Sequence, residues 1–268
     1  MSVCKFKTQE GFTCKVLAEL LQFNFKECCF VCKPTGIYVS CMDTKVKNGT
    51  KYINVRLFND KFKIYKLNSG EDFHLGLNLN YFFKVLKSIK RKDSITLTVE
   101  EKDPNKLLIT IDPPGDSNSI VKDISIIKIS PTEDYEYPDE SYGSPIVASC
   151  KEFQKLKTLN KMSKYITVTQ EDSQIFFYSD KEGVYSTKIS FGEKSDKTDD
   201  DMEIFEQQFE TEDIIQLIKV AGLSQSVQIY FVQGLPLKIK LNVGTLGDLT
   251  IYIKSKEMVD EEKGNDNS

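Results

Sequence analysis

Four times along the chain a helix-like segment is followed by a strand, a turn and a second strand. The second copy is the clearest. Leu79, Phe82, Phe83, Leu86 and Ile89 fall at helical spacing, SITLTVEE then alternates, DPN marks a turn, and KLLITI reads as another strand. The third copy sets Phe153, Leu156, Leu159 and Met162 on one side of a helix, before KYITVTQ, a turn at Glu171-Asp172-Ser173, and QIFFYS. The fourth carries Ile214, Ile215, Leu217 and Ile218, then SVQIYFV, a turn at Gln233-Gly234, and LPLKIKL. Thr211 is its expected N-cap, with Glu212 and Asp213 in the first turn, where the helix dipole favours negative charge. The first copy is the weakest: Val16, Leu17, Leu20 and Leu21, then CCFVCK, Pro34-Thr35-Gly36 and IYVSC. A unit of about 60–70 residues exceeds most solenoid periods. Strands dominate, and each short helix needs a sheet to bury its apolar stripe, so the fold class is α+β in two pseudo-repeated halves.

The segment SPTEDYEYPDESYGSP separates those halves. Pro131, Pro138 and Pro145 remove backbone donors and fix φ, which excludes a central strand or a helix. The expected organisation is a domain over 1–129, a linker over 130–145, a second domain over 146–258 and a disordered acidic tail over 259–268. EKSDKTDDDMEIFE is expected to be a surface loop.

With 36 basic and 40 acidic side chains, the net charge of −4 excludes a generally basic protein that coats nucleic acid, though not local patches. The basic residues are unevenly placed. Residues 79–92 carry +5 through Lys84, Lys87, Lys90, Arg91 and Lys92. Residues 150–164 carry +4, from Lys151, Lys155, Lys157, Lys161 and Lys164 against Glu152. The first helical window is neutral and the fourth is −1. Lys84, Lys87 and Arg91 are spaced to share one helical face, and Lys157, Lys161 and Lys164 repeat that spacing. A solvated lysine face is the plain reading; the segregation across repeats favours a polyanion surface. Arg56 and Arg91 are the only arginines, and bidentate base readout prefers arginine, so nucleic acid would be held through phosphates.

Other chemistry is sparse. The lone histidine, His74, removes most histidine-based catalysis. The best nucleophile for an enzyme would be Cys150, far from His74 in sequence, and no carboxylate cluster resembles a two-metal site; no catalytic residue, metal or cofactor is expected. Seven cysteines without an export signal read as reduced thiols. Cys28, Cys29 and Cys32 contain one CxxC, but there is no second pair for zinc, and core packing is the expected role. The apolar runs are too short for a membrane helix, and MSVCKFKTQE has no apolar signal core, so no membrane partner is expected.

Five segments carry a family resemblance: GIYVSCMD; GLNLNYFFKVLKS with DSITLTVEE; YPDESYGSPIVAS with KEF; SQSVQIYFVQGLPLKIKL; and GDLTIYIKSKEMVDEE. In order and spacing the chain resembles the DNA sliding clamps of the proliferating cell nuclear antigen family over almost its whole length. The resemblance implies the clamp fold, with two domains of two βαβββ units each, and a homotrimeric ring around double-stranded DNA. It implies DNA-facing Lys15, Lys84, Lys87, Lys90, Arg91, Lys155, Lys157, Lys161 and Lys219. It implies a subunit contact through Ile120–Ile129 and Val184–Phe191, with Val121, Ile124 and Ile126 on one side and Val184, Ser186, Lys188 and Ser190 on the other. A groove for client peptides would use Met42, Tyr135, Tyr137, Pro138, Pro236, Tyr252 and Ile253. Its clients would be DNA polymerase, clamp loader, ligase and nuclease, in the nucleus or at a cytoplasmic viral replication site. Lys254-Ser255 stands where the family usually has Ala-Pro, and the loop TKVKNGTK is longer than usual. A subunit of a heterotrimeric checkpoint clamp, or a monomeric processivity factor, would share the fold.

Overall fold

A computed structural model describes residues 2–43, 49–115, 118–133, 141–171, 173–193 and 205–265. The chain forms two compact units. One comprises Met1–Met42, Ile53–Tyr135 and Asn242–Leu249; the other comprises Asp43–Tyr52, Glu136–Leu241 and Thr250–Ser268. Neither is contiguous in sequence, unlike the expected division into 1–129 and 146–258.

The first half of the chain runs β1 (Ser2–Thr8), α1 (Gly11–Asn24), β2 (Glu27–Lys33), β3 (Gly36–Met42), β4 (Lys51–Phe58), β5 (Ile64–Leu67), β6 (Phe73–Asn78), α2 (Leu79–Leu86), β7 (Ser94–Glu100), β8 (Asp103–Asp112) and β9 (Ile120–Ser125). Its strands lie in the orders β5-β1-β7-β8-β9 and β4-β3-β2-β6. The second half runs β10 (Ile146–Ser149), α3 (Cys150–Phe153), β11 (Tyr165–Glu171), β12 (Gln174–Lys181), β13 (Tyr185–Gly192), β14 (Phe205–Glu210), α4 (Thr211–Gln216), β15 (Ser226–Tyr230), β16 (Leu237–Val243), β17 (Gly247–Ile253) and α5 (Lys256–Asn265). Its orders are β13-β12-β11-β14 and β10-β15-β16-β17. A βαβββ unit thus occurs four times, with β5 as an additional strand.

The helices are where sequence and structure part. α1 buries Val16, Leu17, Leu20 and Leu21 as its spacing predicts. α2 stops at Leu86, although Ile89 beyond it is still buried. α3 has only four residues and continues as a 3-10 stretch over Gln154–Leu159; α4 continues likewise over Leu217–Gly222. Phe153, Leu156, Leu159 and Met162 are all buried, at steps of three. So are Ile214, Leu217, Val220 and Leu223, whereas Ile215 and Ile218 are only partly buried. A 3-10 helix has three residues per turn, so a strict step of three lines one side of it.

Two further expectations are corrected and one gains a partner. Thr211 is not a cap: it is the first residue of α4, and its hydroxyl donates to the Ser163 carbonyl at 2.8 Å. Asp213 lies in the first turn of α4, as expected, but is buried there. It is 1% exposed and pairs at 2.9 Å with Lys51, whose ammonium also donates to Gln216 Oε1 at 2.7 Å. Asp43 accepts from the Thr50 hydroxyl (2.7 Å) and the Lys51 amide (3.0 Å), which fixes both ends of the segment within the second unit. The tail is not disordered throughout, because α5 is helical to Asn265.

The cysteines are not all reduced thiols. The antiparallel register Phe30↔Val39 between β2 and β3, carried two residues further, sets Cys28 opposite Cys41, and their sulfurs are bonded. The other five, Cys4, Cys14, Cys29, Cys32 and Cys150, are free.

Replacing Asp213 with alanine strands a buried ammonium and should cost about 3–5 kcal/mol of unfolding free energy in urea titrations. A loss below about 1 kcal/mol would mean that Lys51 escapes to water. Denatured without reductant, the protein should take up five alkylating groups per chain by mass spectrometry, and all seven after reduction.

Candidate nucleic-acid and partner interfaces

The basic residues after Phe83 are presented by a helix end rather than a helix face. Asn78 caps α2, its side chain accepting from the Tyr81 amide at 3.3 Å. At the other end the Lys122 ammonium, from β9, donates to the Val85 carbonyl and the Ser88 hydroxyl, each at 2.9 Å. A cation there satisfies terminal carbonyls and suits the negative end of the dipole. The chain then turns tightly, as Ile89 N–H bonds the Leu86 carbonyl and Asp93 accepts from the Lys90 amide. Lys87, Lys90 and Arg91 are exposed on this turn. Arg91 therefore does not share a helical face with Lys84 and Lys87.

Lys84 lines an open cleft of about 460 Å³ with Glu27, Tyr81, Asp123 and Ile124. Its setting is mixed in charge, and the cleft brings a residue expected to face DNA beside one expected at a subunit contact. Lys15 and Arg91, far apart in sequence, converge on the Phe12 side chain, with charged groups 5.5 and 5.8 Å from the ring centroid. Lys15 also donates to the Ile89 carbonyl at 3.0 Å.

In the second unit, Lys155, Lys157 and Lys161 are exposed. Lys155 lies 3.7 Å from Glu152. Lys157 belongs to the 3-10 stretch, while Lys161 follows it with φ +64°, so Lys157, Lys161 and Lys164 do not form a helical stripe. Lys219 is half-buried in the 3-10 stretch after α4.

The residues expected to line the peptide groove are scattered in character. Tyr135, Tyr137 and Pro138 lie outside the described residues. Met42 is 39% exposed at the end of β3. Pro236 is buried, and its carbonyl accepts from the Tyr142 hydroxyl at 3.0 Å. Ile253 is wholly in the core, and Tyr252 packs with Tyr52 and Tyr142. Sequence reasoning missed the group at the centre of this cluster. The buried Lys238 ammonium stands 4.8, 5.0 and 5.7 Å from the ring centroids of Tyr142, Tyr230 and Tyr252, in cation–π range. The register Tyr230↔Lys238 could have suggested it.

The expected subunit contact falls on sheet margins. β9 and β13 are each outermost in their sheets. Val121 is 63% and Val184 80% exposed, and Ser186, Lys188 and Ser190 are exposed as well. Ile124 is buried, and Ile126 lies past the end of β9. The chain there turns to bridge Ile127 with Gly76, where any side chain on Gly76 would strike the Ile127 carbonyl. Lys188 sits over Phe176 and 3.8 Å from Glu171. Burial pushes the Cys150 thiol up to about 11, so it stays protonated and weakly nucleophilic near neutral pH.

Comparison with known proteins agrees with this architecture. The family description "Proliferating cell nuclear antigen, N-terminal domain" matches residues 4–135, and "Proliferating cell nuclear antigen, C-terminal domain" matches residues 136–256. The chain belongs to the proliferating cell nuclear antigen family. It is 26% identical to the "Probable DNA polymerase sliding clamp 1" of Paramecium bursaria Chlorella virus 1, over 92% of this chain and 94% of that protein. It is 22% identical to the proliferating cell nuclear antigen of Chaetomium thermophilum, covering 95% and 98% respectively. The crystal structure of the Entamoeba histolytica protein of that name superposes with a TM-score of 0.80 at 20% identity, over 96% of this chain and all of that one, which shows the clamp fold.

Proposed function

We infer that this chain is a DNA sliding clamp, a non-catalytic ring that holds polymerase on its template. The single observation that carries this reading is the tandem match of both clamp domains across residues 4–256. The margins support self-assembly. β9 and β13 leave unpaired backbone donors and acceptors beside exposed valines, a hazard unless another chain covers them. Pairing β9 of one copy with β13 of the next is a heterologous contact, which closes when three copies complete the turn.

Duplex DNA threads the ring without sequence readout. Lys15, Lys87, Lys90 and Arg91, with Lys155, Lys157 and Lys161, supply weak phosphate contacts that permit sliding. Net negative charge elsewhere discourages sticking to nucleic acid. Polymerase, ligase and nuclease are tethered through short peptides beside Pro236 and Tyr252, which raises their concentration at the primer end. The tyrosines and Lys238 there select clients different from those suited to an aliphatic floor. Loading falls to a separate ATP-driven loader, since the sequence contains no GxxxxGK[ST] loop. The protein works wherever its DNA is copied, in a nucleus or at a cytoplasmic viral replication site.

Light scattering should report about 92 kDa, three copies of a 30.6 kDa chain. Val121→Asp or Val184→Asp should reduce that to a single chain. A monomeric or two-chain mass for the unaltered protein would reject the homotrimer. Reversing Lys87, Lys90 and Arg91 to glutamate should lower polymerase stimulation on primed circular DNA about tenfold at moderate salt while trimers persist. Full stimulation by that variant would remove the turn after α2 from the DNA path.

A further inference from the structure

Helix α5 covers a sheet edge. β14 is outermost in the order β13-β12-β11-β14, and α5 packs against it. The Gln208 amide donates to Glu257 Oε2 at 3.3 Å, and Lys256 Nζ reaches Gln208 Oε1 at 3.5 Å. Gln207 Nε2 donates to the buried Ser255 hydroxyl at 3.3 Å. A carboxylate on a helix thus occupies a backbone donor that a strand would otherwise take.

In the other half of the chain a strand does take it. β1 stands in its sheet where β14 stands in its own, and β5 pairs with it from Cys4↔Leu67 to Lys7↔Ile64. β5 comes after β4, as α5 comes after β17. The same edge of the same repeat is closed by a strand in one unit and by a helix in the other.

The helical cover is lightly fastened. Lys254 pairs with Glu262 at 2.7 Å, and the Ser255 hydroxyl accepts from the Met258 amide at 3.3 Å, capping α5. Alanine and proline at 254 and 255 would supply neither bond. Ten residues are too few for a helix to hold itself in water once those contacts break.

We propose that α5 is a detachable cover and that the uncovered edge of β14 accepts an extended basic peptide as a further strand. Strand addition replaces the Glu257 contact with backbone hydrogen bonds. The preference for basic peptides comes from Glu206, exposed two residues before Gln208 on the same face of β14; Glu210, two residues after it, already faces Lys164. The inference does not rest on ring closure or on DNA.

The test uses the full chain and a fluorescein-labelled octapeptide of alternating lysine and valine, read by anisotropy. Combining Ser255→Ala with Glu262→Lys unfastens α5 and should tighten binding about tenfold. Adding Gln208→Pro, which removes the edge donor, should abolish the gain. Equal affinity for the unaltered and unfastened chains, or a gain that survives Gln208→Pro, would overturn the proposal. Hydrogen exchange provides a second readout on the unaltered protein: Gln208 should exchange by local opening, faster than global unfolding allows. Exchange of Gln208 only on global unfolding would count equally against a detachable cover.

Discussion

A helix of fewer than about twelve residues is marginal in water, because nucleation costs more than a few hydrogen bonds return. Three of the four helices in the βαβββ units fall below that length: α2 has eight residues, α3 four and α4 six. Their order comes from the sheet they cover. Each buries a short apolar row, and each is flanked by strands of its own repeat. The same dependence explains why the rows of the third and fourth repeats step by three. A tight 3-10 coil brings every third residue back to the sheet over a span too short for an α-helix to do so twice.

That constraint decides where cations can sit. Because α2 ends at Leu86, the basic run after it is carried by a turn held by Asp93 and by the Lys122 cap. The clustering of positive charge is real in sequence, yet the spacing that put Lys84, Lys87 and Arg91 on one face assumed a helix longer than the fold allows. The structure instead groups Arg91 with Lys15 around Phe12, and sets Lys84 among acids in a cleft.

Local and periodic features were readable from the residues alone. The fourfold repeat and the stripe of α1 follow from alternation or spacing, while the marginal place of β9 and β13 was implied by the family resemblance. Features joining distant residues were not. Lys51 reads as one more loop lysine, and only folding brings it to Asp213. Cys28 and Cys41 need a strand register before they become partners. The acidic composition of α5 resembles that of a solvated tail, and what orders it is Lys254 before it and the edge of β14 beneath it. The step of three at Phe153, Leu156, Leu159 and Met162 was visible, and it pointed to a 3-10 coil as much as to an α-helix. Tyr252 and Ile253 were placed at a groove by the family resemblance alone, and no local pattern tells that Ile253 is wholly core while Tyr252 packs among other tyrosines.

Lys15 and Arg91 are held by a carbonyl and an aromatic face, neither of which bears a negative charge. Their positions are settled in advance, so an approaching polyanion neither evicts a carboxylate nor spends entropy ordering two long side chains. In the proposed role as phosphate contacts, such groups would bind and release with nearly equal ease at every position along a uniform charged track, which is what low-friction travel requires.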